Sequence, residues 1–392
     1  MKSLNIVILT TVIAAVGFFS FNWADDNNNT TETDESTIVT DSSAFGEPAQ
    51  FEDYTVGSGI TTGNLQVFLI HGAEQLGTKN YTTLATAMDH KLVTVQETGS
   101  VNELSIDNNS DQYVFIHSGD IVKGGKQDRT MAYDVIIPPH TNNVPLQSFC
   151  VEHGRWQGRE DEAVGEFSTT NNMLSSKELK MAAKYDNDQS KVWDNVATEQ
   201  GKLTENVSKM NGYSVDVKSD VSATSLQLTL ENEELKKAKK EMEEALKGIL
   251  DKYPDAIGYA YAINGEIYGV DIYNNRSLFE EIWPKIVESI AIEAISNNTD
   301  ETHTDAIAAN VVEFMSALTV ANQTETSKAI NSTTDFKIAE NDSGNVVFST
   351  IDNDENHWVH KNYMKVTIDT TRKNHELDNG LYYNNINQQI RN

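Results

Sequence analysis

A single cysteine, Cys150, stands among 392 residues, with six prolines and a marked shortage of positive charge. One thiol makes no intrachain disulfide and cannot supply a zinc site that needs two or more thiolates. The 30 Lys and Arg are outnumbered by 59 Asp and Glu, for a net charge of −29. So acidic a chain is repelled by phosphate backbones, which excludes DNA or RNA wrapping. Two sequence signatures are also missing, H-E-x-x-H and G-x-S-x-G, so neither a zinc-protease helix nor a nucleophile elbow is indicated. What is present is length, enough for one large domain or two ordinary ones, either with a real core.

Residues 1–24 read as an export signal or an N-terminal anchor. Lys2 supplies the positive start, and residues 4–21 form a mostly apolar stretch without charge. That stretch is long for a signal core and short for a bilayer span. Ala24 is the best small residue for cleavage, with Asn22 an atypical partner two residues before it. No cysteine follows, which excludes lipid attachment there. The expected setting is extracytoplasmic, with membrane contact only through this segment if it is uncleaved. Residues 25–58 carry nine acids and no Lys or Arg, and read as a disordered spacer, either tether or solubilising tail. The remaining residues, 59–392, hold 29 basic and 50 acidic residues, a net −21.

The body, residues 59–368, reads as one large α+β domain. Its first part is β-rich, with strands expected at 65–70, 92–97, 101–106, 112–117 and 133–137 and a short helix at 81–90. A helical middle follows. Ser175 and Glu178 have capping-box spacing for a helix start, with helical patterning in one piece or two to about residue 203, and a second helix spans about 232–253. Asn264-Gly265 between two apolar runs is a strong hairpin signal, because both turn positions need φ > 0. Ser277 with Glu280 opens a helix that Pro284 should kink or delay. Another helix is expected at 305–318, and closing strands at 345–350 and 357–368. The polar tail, 369–392, reads as frayed. Elements in blocks rather than in βαβ alternation indicate α+β.

Two blocks are dense in chemistry. The first, Gly119 to Arg129, contains GGKQDR. It is not a Walker A loop, because Asp120 and Gln127 stand where that motif needs a glycine and a hydroxyl. Its glycine pair can form an anion nest, with Lys126 and Arg129 holding a carboxylate or phosphate. The same residues equally suit a hairpin turn whose charges pair with one another. The second block is Cys150-Val151-Glu152-His153-Gly154-Arg155-Trp156. Cys150 suits either a nucleophile or a small core residue. Glu152 and Arg155 suit an ion pair, with Trp156 over the guanidinium. The blocks meet if strands at 133–137 and 146–151 form a hairpin. Residues 115–160 hold five basic and five acidic residues, a neutral window in an acidic body. His357 and His360 diverge if their segment is a strand, and His71, His117 and His140 stand alone, so no metal site is expected.

The GGKQDR block, Ile137-Pro138-Pro139 and the CVEHGRW block, in this order and spacing, resemble the ARPP domain family. That domain is associated with ADP-ribosylglycohydrolase and rhodanese-phosphatase proteins. Ala262 to Asp271 and Trp283-Pro284 look like its later part, so the resemblance covers roughly residues 60–365. It implies no catalytic assignments, and its associations point to nucleotide- or phosphate-linked chemistry. An export leader departs from the family's cytosolic setting. The leading expectation is therefore a small anionic, phosphate- or nucleotide-containing ligand held by Lys126, Gln127, Arg129, Arg155 and Trp156. The alternatives are a structural or cell-surface module with a buried ion-pair network, and a hydrolase with Glu152 or Asp128 as general base. No cofactor is indicated.

Overall fold

Two largely apolar stretches pair with each other at the centre of the fold. Leu65–His71 and Ala256–Ile263 run antiparallel, with Leu65 opposite Ile263 and Ile70 opposite Gly258. Successive strand side chains point to opposite faces. Val67 and Leu69 therefore enter one core with Tyr259 and Tyr261, and Phe68 and Ile70 enter another with Ala260 and Ala262. Burial on both faces is why neither stretch shows polar alternation.

The computed structural model describes residues 47–74, 77–159, 162, 165–318 and 323–365. It begins with β1 (Ala49–Phe51), β2 (Tyr54–Val56), β3 (Ile60–Thr62) and β4 (Leu65–His71). β5 (Tyr81–Thr83) leads into α1 (Leu84–Asp89). The β-rich part continues with β6 (Val93–Glu97), β7 (Glu103–Asn108), β8 (Tyr113–Ile116), β9 (Asp120–Gly124), β10 (Arg129–Met131), β11 (Val135–Ile137), β12 (Thr141–Cys150) and β13 (Phe167–Met173). The helical middle is α2 (Lys177–Lys184), α3 (Gln189–Asn211), α4 (Leu226–Leu230) and α5 (Glu233–Leu246). The hairpin β14 (Ala256–Ile263) and β15 (Glu266–Tyr273) precedes α6 (Arg276–Ser296) and α7 (Ala308–Ser316). β16 (Thr324–Ala329), β17 (Thr334–Glu340), β18 (Asn345–Asp352) and β19 (His357–Lys365) close the chain of elements.

Among the described residues these strands make three sheets. The first has ten strands in the order β1-β2-β4-β14-β15-β19-β18-β17-β16, with β3 also on β4. The second runs β13-β9-β10-β12-β7-β6 and the third β11-β8-β5. The long α6 lies against the Val67 face of the first sheet through Leu278, Phe279, Ile282 and Ile286. α7 covers the opposite face through Ala308, Val311 and Met315. The fold is thus α+β with segregated blocks, as the order of patterns in the sequence implies.

Local signals explain the joints, and several differ from the sequence expectation. Asn264 and Gly265 have φ of 51° and 77°, the pair of left-handed residues that the β14–β15 turn requires. α2 is capped by Ser176, whose Oγ accepts from Leu179 N at 3.2 Å. Ser175 instead donates to Glu199 Oε1. α6 is capped by Asn275, not Ser277, and runs through Pro284. α3 extends past residue 203 until Gly212 ends it with φ 71°. The body also starts earlier than expected. β1 and β2 lie within the stretch read as spacer, because Phe51 and Val56 are buried while Glu52 and Asp53 face outward. β16 has no strand pattern in its sequence, because TETSKA is exposed throughout and has no buried face to mark by alternation. The leader, spacer residues up to 46 and the tail 369–392 lie outside the described residues. No helix of the described residues is long and apolar enough to cross a membrane.

Candidate functional site

The two motif blocks are joined directly. β10 pairs with β12 so that Arg129 faces Cys150 and Thr130 faces Phe149, and Val151 N continues the ladder to Asp128 O at 3.0 Å. The expected hairpin between 133–137 and 146–151 does not form. β11 pairs with β8 instead, because β12 is taken on its two sides by β10 and β7.

Glu152 is the hub of this knot and has no exposed surface. Its carboxylate accepts from Arg155 Nε at 2.8 Å, Ser222 Oγ at 2.5 Å, Arg159 Nη2 at 3.2 Å and Asp128 N at 3.3 Å. Its backbone carbonyl accepts from Gln127 Nε2 at 2.8 Å and Trp193 Nε1 at 3.2 Å. Burial pushes the Glu152 carboxyl up, but the Arg155 and Ser222 hydrogen bonds outweigh it and hold it below its usual value. Asp128, also fully buried, accepts from Gly124 N at 3.0 Å, Ser225 Oγ at 2.8 Å and Arg159 Nη2. Burial raises the Asp128 carboxyl against the pull of Arg159.

These contacts engage several of the residues in the ligand-binding expectation for this loop. Gly124 and Gly125 both have positive φ, 122° and 53°, which glycine adopts without strain. The loop amides are taken by the chain's own carboxylates: Asp128 takes Gly124 N, and Glu97 Oε1 takes Lys126 N at 3.0 Å. Arg155 reaches the carbonyls of Gly125 at 3.1 Å and Gly124 at 3.4 Å. Arg129 is completely buried, with Glu97 Oε2 3.6 Å from Nη2, and Gln127 Oε1 and Cys150 Sγ beside Nη1. Neither Gln127 nor Arg129 faces solvent. Trp156 does not cover Arg155. It is 50% exposed, and Lys126 Nζ lies 5.4 Å from its ring centre. Cys150 is a core residue: burial pushes its thiol up to about 11, against the lowering effect of Arg129. Arg159, which sequence reasoning counted among the basic residues without assigning it, bridges Asp128, Glu152 and Glu162.

A second buried constellation lies where β8, β15 and β19 meet, and no local sequence pattern marks it. His360 on β19 stands between two carboxylates, with Nδ1 2.7 Å from Asp134 Oδ2 and Nε2 2.9 Å from Asp271 Oδ1. Burial pushes the imidazole down, but Asp134 and then Asp271 raise it to about 9. Asp271 is held at about 2: burial raises it, and the His360 hydrogen bond outweighs burial. Asp134 also accepts from Ser118 N at 2.7 Å and Thr350 Oγ1 at 2.6 Å. His117, far from standing alone, places Nε2 2.9 Å from Tyr273 Oη and Nδ1 2.8 Å from Ser118 O. Its ring centre is 4.8 Å from that of His360. His357 does diverge from His360, pairing with Glu355. His71 and His140 also have partners, Asp255 and Asp111.

Beside this centre is a cavity of about 20 Å³, lined by His117, Asp271, Lys180, Lys184, Tyr261 and Asn362 among others. Lys184 is buried, donates to Asn362 Oδ1 and lies 4.3 Å from the Phe348 ring centre. It makes no ion pair among the described residues. Burial lowers its ammonium to about 8, with the charges of Asp271 and Asp134 opposing. Lys180, half-buried at the mouth, sits 5.8 Å from the Tyr261 ring centre. A roomier cleft of about 470 Å³ lies between α1, α5 and α6. Two of its lysines are already paired, Lys239 with Glu243 and Glu288, and Lys285 with Asp120.

The fold and its interior define a mixed α+β domain with a sealed ion-pair knot and a separate buried His–carboxylate centre. Residues 53–364 match the family model of the ARG and Rhodanese-Phosphatase-superfamily-associated Protein domain, ARPP-1, and the chain belongs to that family. No curated protein and no solved structure matches it.

Proposed function

We propose that the domain binds a small anionic ligand, phosphate- or nucleotide-containing, at the cavity beside Lys184 rather than at the GGKQDR loop. The observation that carries this reading is a buried ammonium without a carboxylate in contact. A buried charge needs a counter-charge, and the nearest carboxylates, Asp134 and Asp271, are both committed to His360. Lys180 adds a second cation at the mouth. The cavity has room for about one water-sized group, so the ligand enters with one terminal oxygen and leaves its remainder at the mouth. The family's association with rhodanese-phosphatase-superfamily proteins agrees with phosphate chemistry. Thermal denaturation of the full chain with inorganic phosphate, nucleotides and ADP-ribose tests it. A rise in Tm is expected for wild type and none for Lys184→Met of unchanged circular dichroism. No rise in wild type, or the same rise in Lys184→Met, sinks the reading.

A structural role for the motif blocks themselves is the second reading, favoured by the complete burial of Asp128, Arg129 and Glu152. The hydrolase reading draws no support from the geometry, because four donors already occupy the Glu152 carboxylate. We also infer an extracytoplasmic setting from residues 1–24. Fractionation of the tagged full chain tests it, and recovery from the cytoplasm would contradict it.

A further inference from the structure

His117, Asp271 and His360 come from three separate stretches of chain, yet their ligating atoms all lie within 4.8 Å of one another. All three residues are buried. The orientation of both rings is set from behind. A backbone carbonyl can only accept, so Ser118 O at 2.8 Å fixes the hydrogen of His117 on Nδ1 and leaves a lone pair on Nε2. Asp134 at 2.7 Å holds Nδ1 of His360 in the same way and aims its Nε2 at Asp271. A carbonyl or carboxylate behind Nδ1, with Nε2 facing a shared centre, is how metal-ligating histidines are oriented. His117 meets no carboxylate through its ring; its Nε2 lies 2.9 Å from the neutral Tyr273 Oη, so ion pairing does not account for its place beside Asp271 and His360.

We infer that His117 Nε2, Asp271 and His360 Nε2 bind one divalent transition-metal ion, with zinc the ion they suit best. Two imidazoles and one carboxylate form a three-ligand set that leaves a position open. Bonds of about 2.1 Å in a tetrahedron place ligand atoms about 3.4 Å apart. The present spread therefore closes with shifts of about an ångström. The small cavity, lined by His117 and Asp271, supplies the open position and has room for one water or one ligand oxygen. Binding replaces two hydrogen-bonding partners. Tyr273 Oη gives up the His117 lone pair, and the hydrogen on His360 Nε2 leaves to solvent as the metal takes its place. The inference shares its cavity with the anion site and rests on that reading only for the identity of the fourth ligand.

The test uses the full chain stripped with a chelator and then titrated with Zn²⁺, or with Co²⁺ as a visible probe, in the absence of anionic ligands. Wild type should bind about one equivalent, with the intense cobalt absorption of a four-coordinate site. His117→Ala and Asp271→Asn should lose that absorption, whereas His153→Ala, at an exposed histidine, should keep it. Because a core variant can unfold, wild type loaded with Cu²⁺ is also read by pulsed electron paramagnetic resonance. Two coordinated imidazoles are expected there. Absence of stoichiometric binding, a single imidazole, or unchanged binding by folded His117→Ala overturns the inference. Lys184→Met should still bind the metal. Loss of anion binding alone therefore refutes only the anion reading, and loss of metal binding alone refutes only this one.

Discussion

Replacing Glu152 with Gln asks how much of the fold depends on one carboxylate. The change is nearly isosteric, so the packing volume stays and only charge and acceptor capacity are lost. The wild-type carboxylate receives four donors, two of them from the guanidinium groups of Arg155 and Arg159. Hydrogen bonds to charged groups contribute about 1.5–3 kcal/mol each, but these do not add. Breaking one partner out of a buried pair costs about 3–5 kcal/mol. The lower end applies, because neither guanidinium is orphaned. Arg155 keeps the carbonyls of Gly124, Gly125 and Gln157, and Arg159 keeps Asp128 and Glu162. The expected loss is thus about 3 kcal/mol, a large share of the roughly 5–15 kcal/mol that holds a domain together. Urea denaturation followed by far-ultraviolet circular dichroism measures it, with the midpoint falling at unchanged slope. Added salt should leave the loss unchanged, since buried pairs are little screened. A loss below about 1 kcal/mol that fades in salt is the behaviour of a surface pair, and would refute the sealed-knot account.

The buried pair Glu199 and Glu293 predicts a pH effect. Burial, with the Glu293 charge second, raises Glu199 from the usual 4.5 to about 7. Its contribution to stability is full below the unfolded value of 4.5 and is lost as pH rises through about 7. Wild type should therefore lose up to about 3 kcal/mol between those limits. Glu199→Gln should flatten that slope, and equal slopes in urea titrations at both pH values would contradict it. Gly125→Ala should destabilise by about 2–4 kcal/mol, combining left-handed strain with overpacking. A Cβ there would lie 2.5 Å from the Phe167 ring and 2.7 Å from Glu97 Oε1. Gly154→Ala, with a similar φ but open space around it, should cost only the strain; equal losses in chemical denaturation would remove the packing argument. Cys150, buried with its thiol at about 11, should resist a disulfide reagent until urea unfolds the chain. Rapid labelling of the native protein would return it to the reactive class.

Legibility in the sequence followed distance along the chain. The Asn264-Gly265 turn was readable because the two strands it joins flank it. The meeting of GGKQDR with CVEHGRW was readable as convergence, because both blocks are dense and only about twenty residues separate Arg129 from Cys150. Which strands bring them together was not, since β10 and β11 are equally short and the apolar one, β11, is the more obvious strand. Ser175 and Ser176 offer the same hydroxyl one residue apart, and only the backbone turn decides which one caps α2. His117 and His360 were unreadable as neighbours. Their proximity depends on β15 lying beside β19, a pairing between strands almost ninety residues apart whose register sets Tyr273 against His360. No local pattern encodes that register. It is fixed by which faces of the large sheet are buried.

The two polar interiors differ in how their carboxylates and cations meet, although Arg129 Nε and Nη2 and Arg159 Nε in the knot have no hydrogen-bond partner among the described residues. In the knot, the carboxylates of Asp128 and Glu152 are filled by arginine, serine and backbone donors. The loop amides are capped by Asp128 and Glu97. A ligand anion entering there would have to displace a carboxylate that is covalently part of the chain and already close at hand. Such a competitor has a high effective concentration, so a free anion gains little. At the second centre each group has a hydrogen-bond partner, but not always one of opposite charge. Lys184 carries a buried charge opposed by no contacting carboxylate, and His117 Nε2 spends its lone pair on a neutral phenol. Each of those groups forms a stronger interaction with an incoming partner than with its present one, an anion for the first and a cation for the second. An anion at the motif blocks competes with the chain's own carboxylates, whereas none contacts the Lys184 ammonium, which is why the proposed site is placed there.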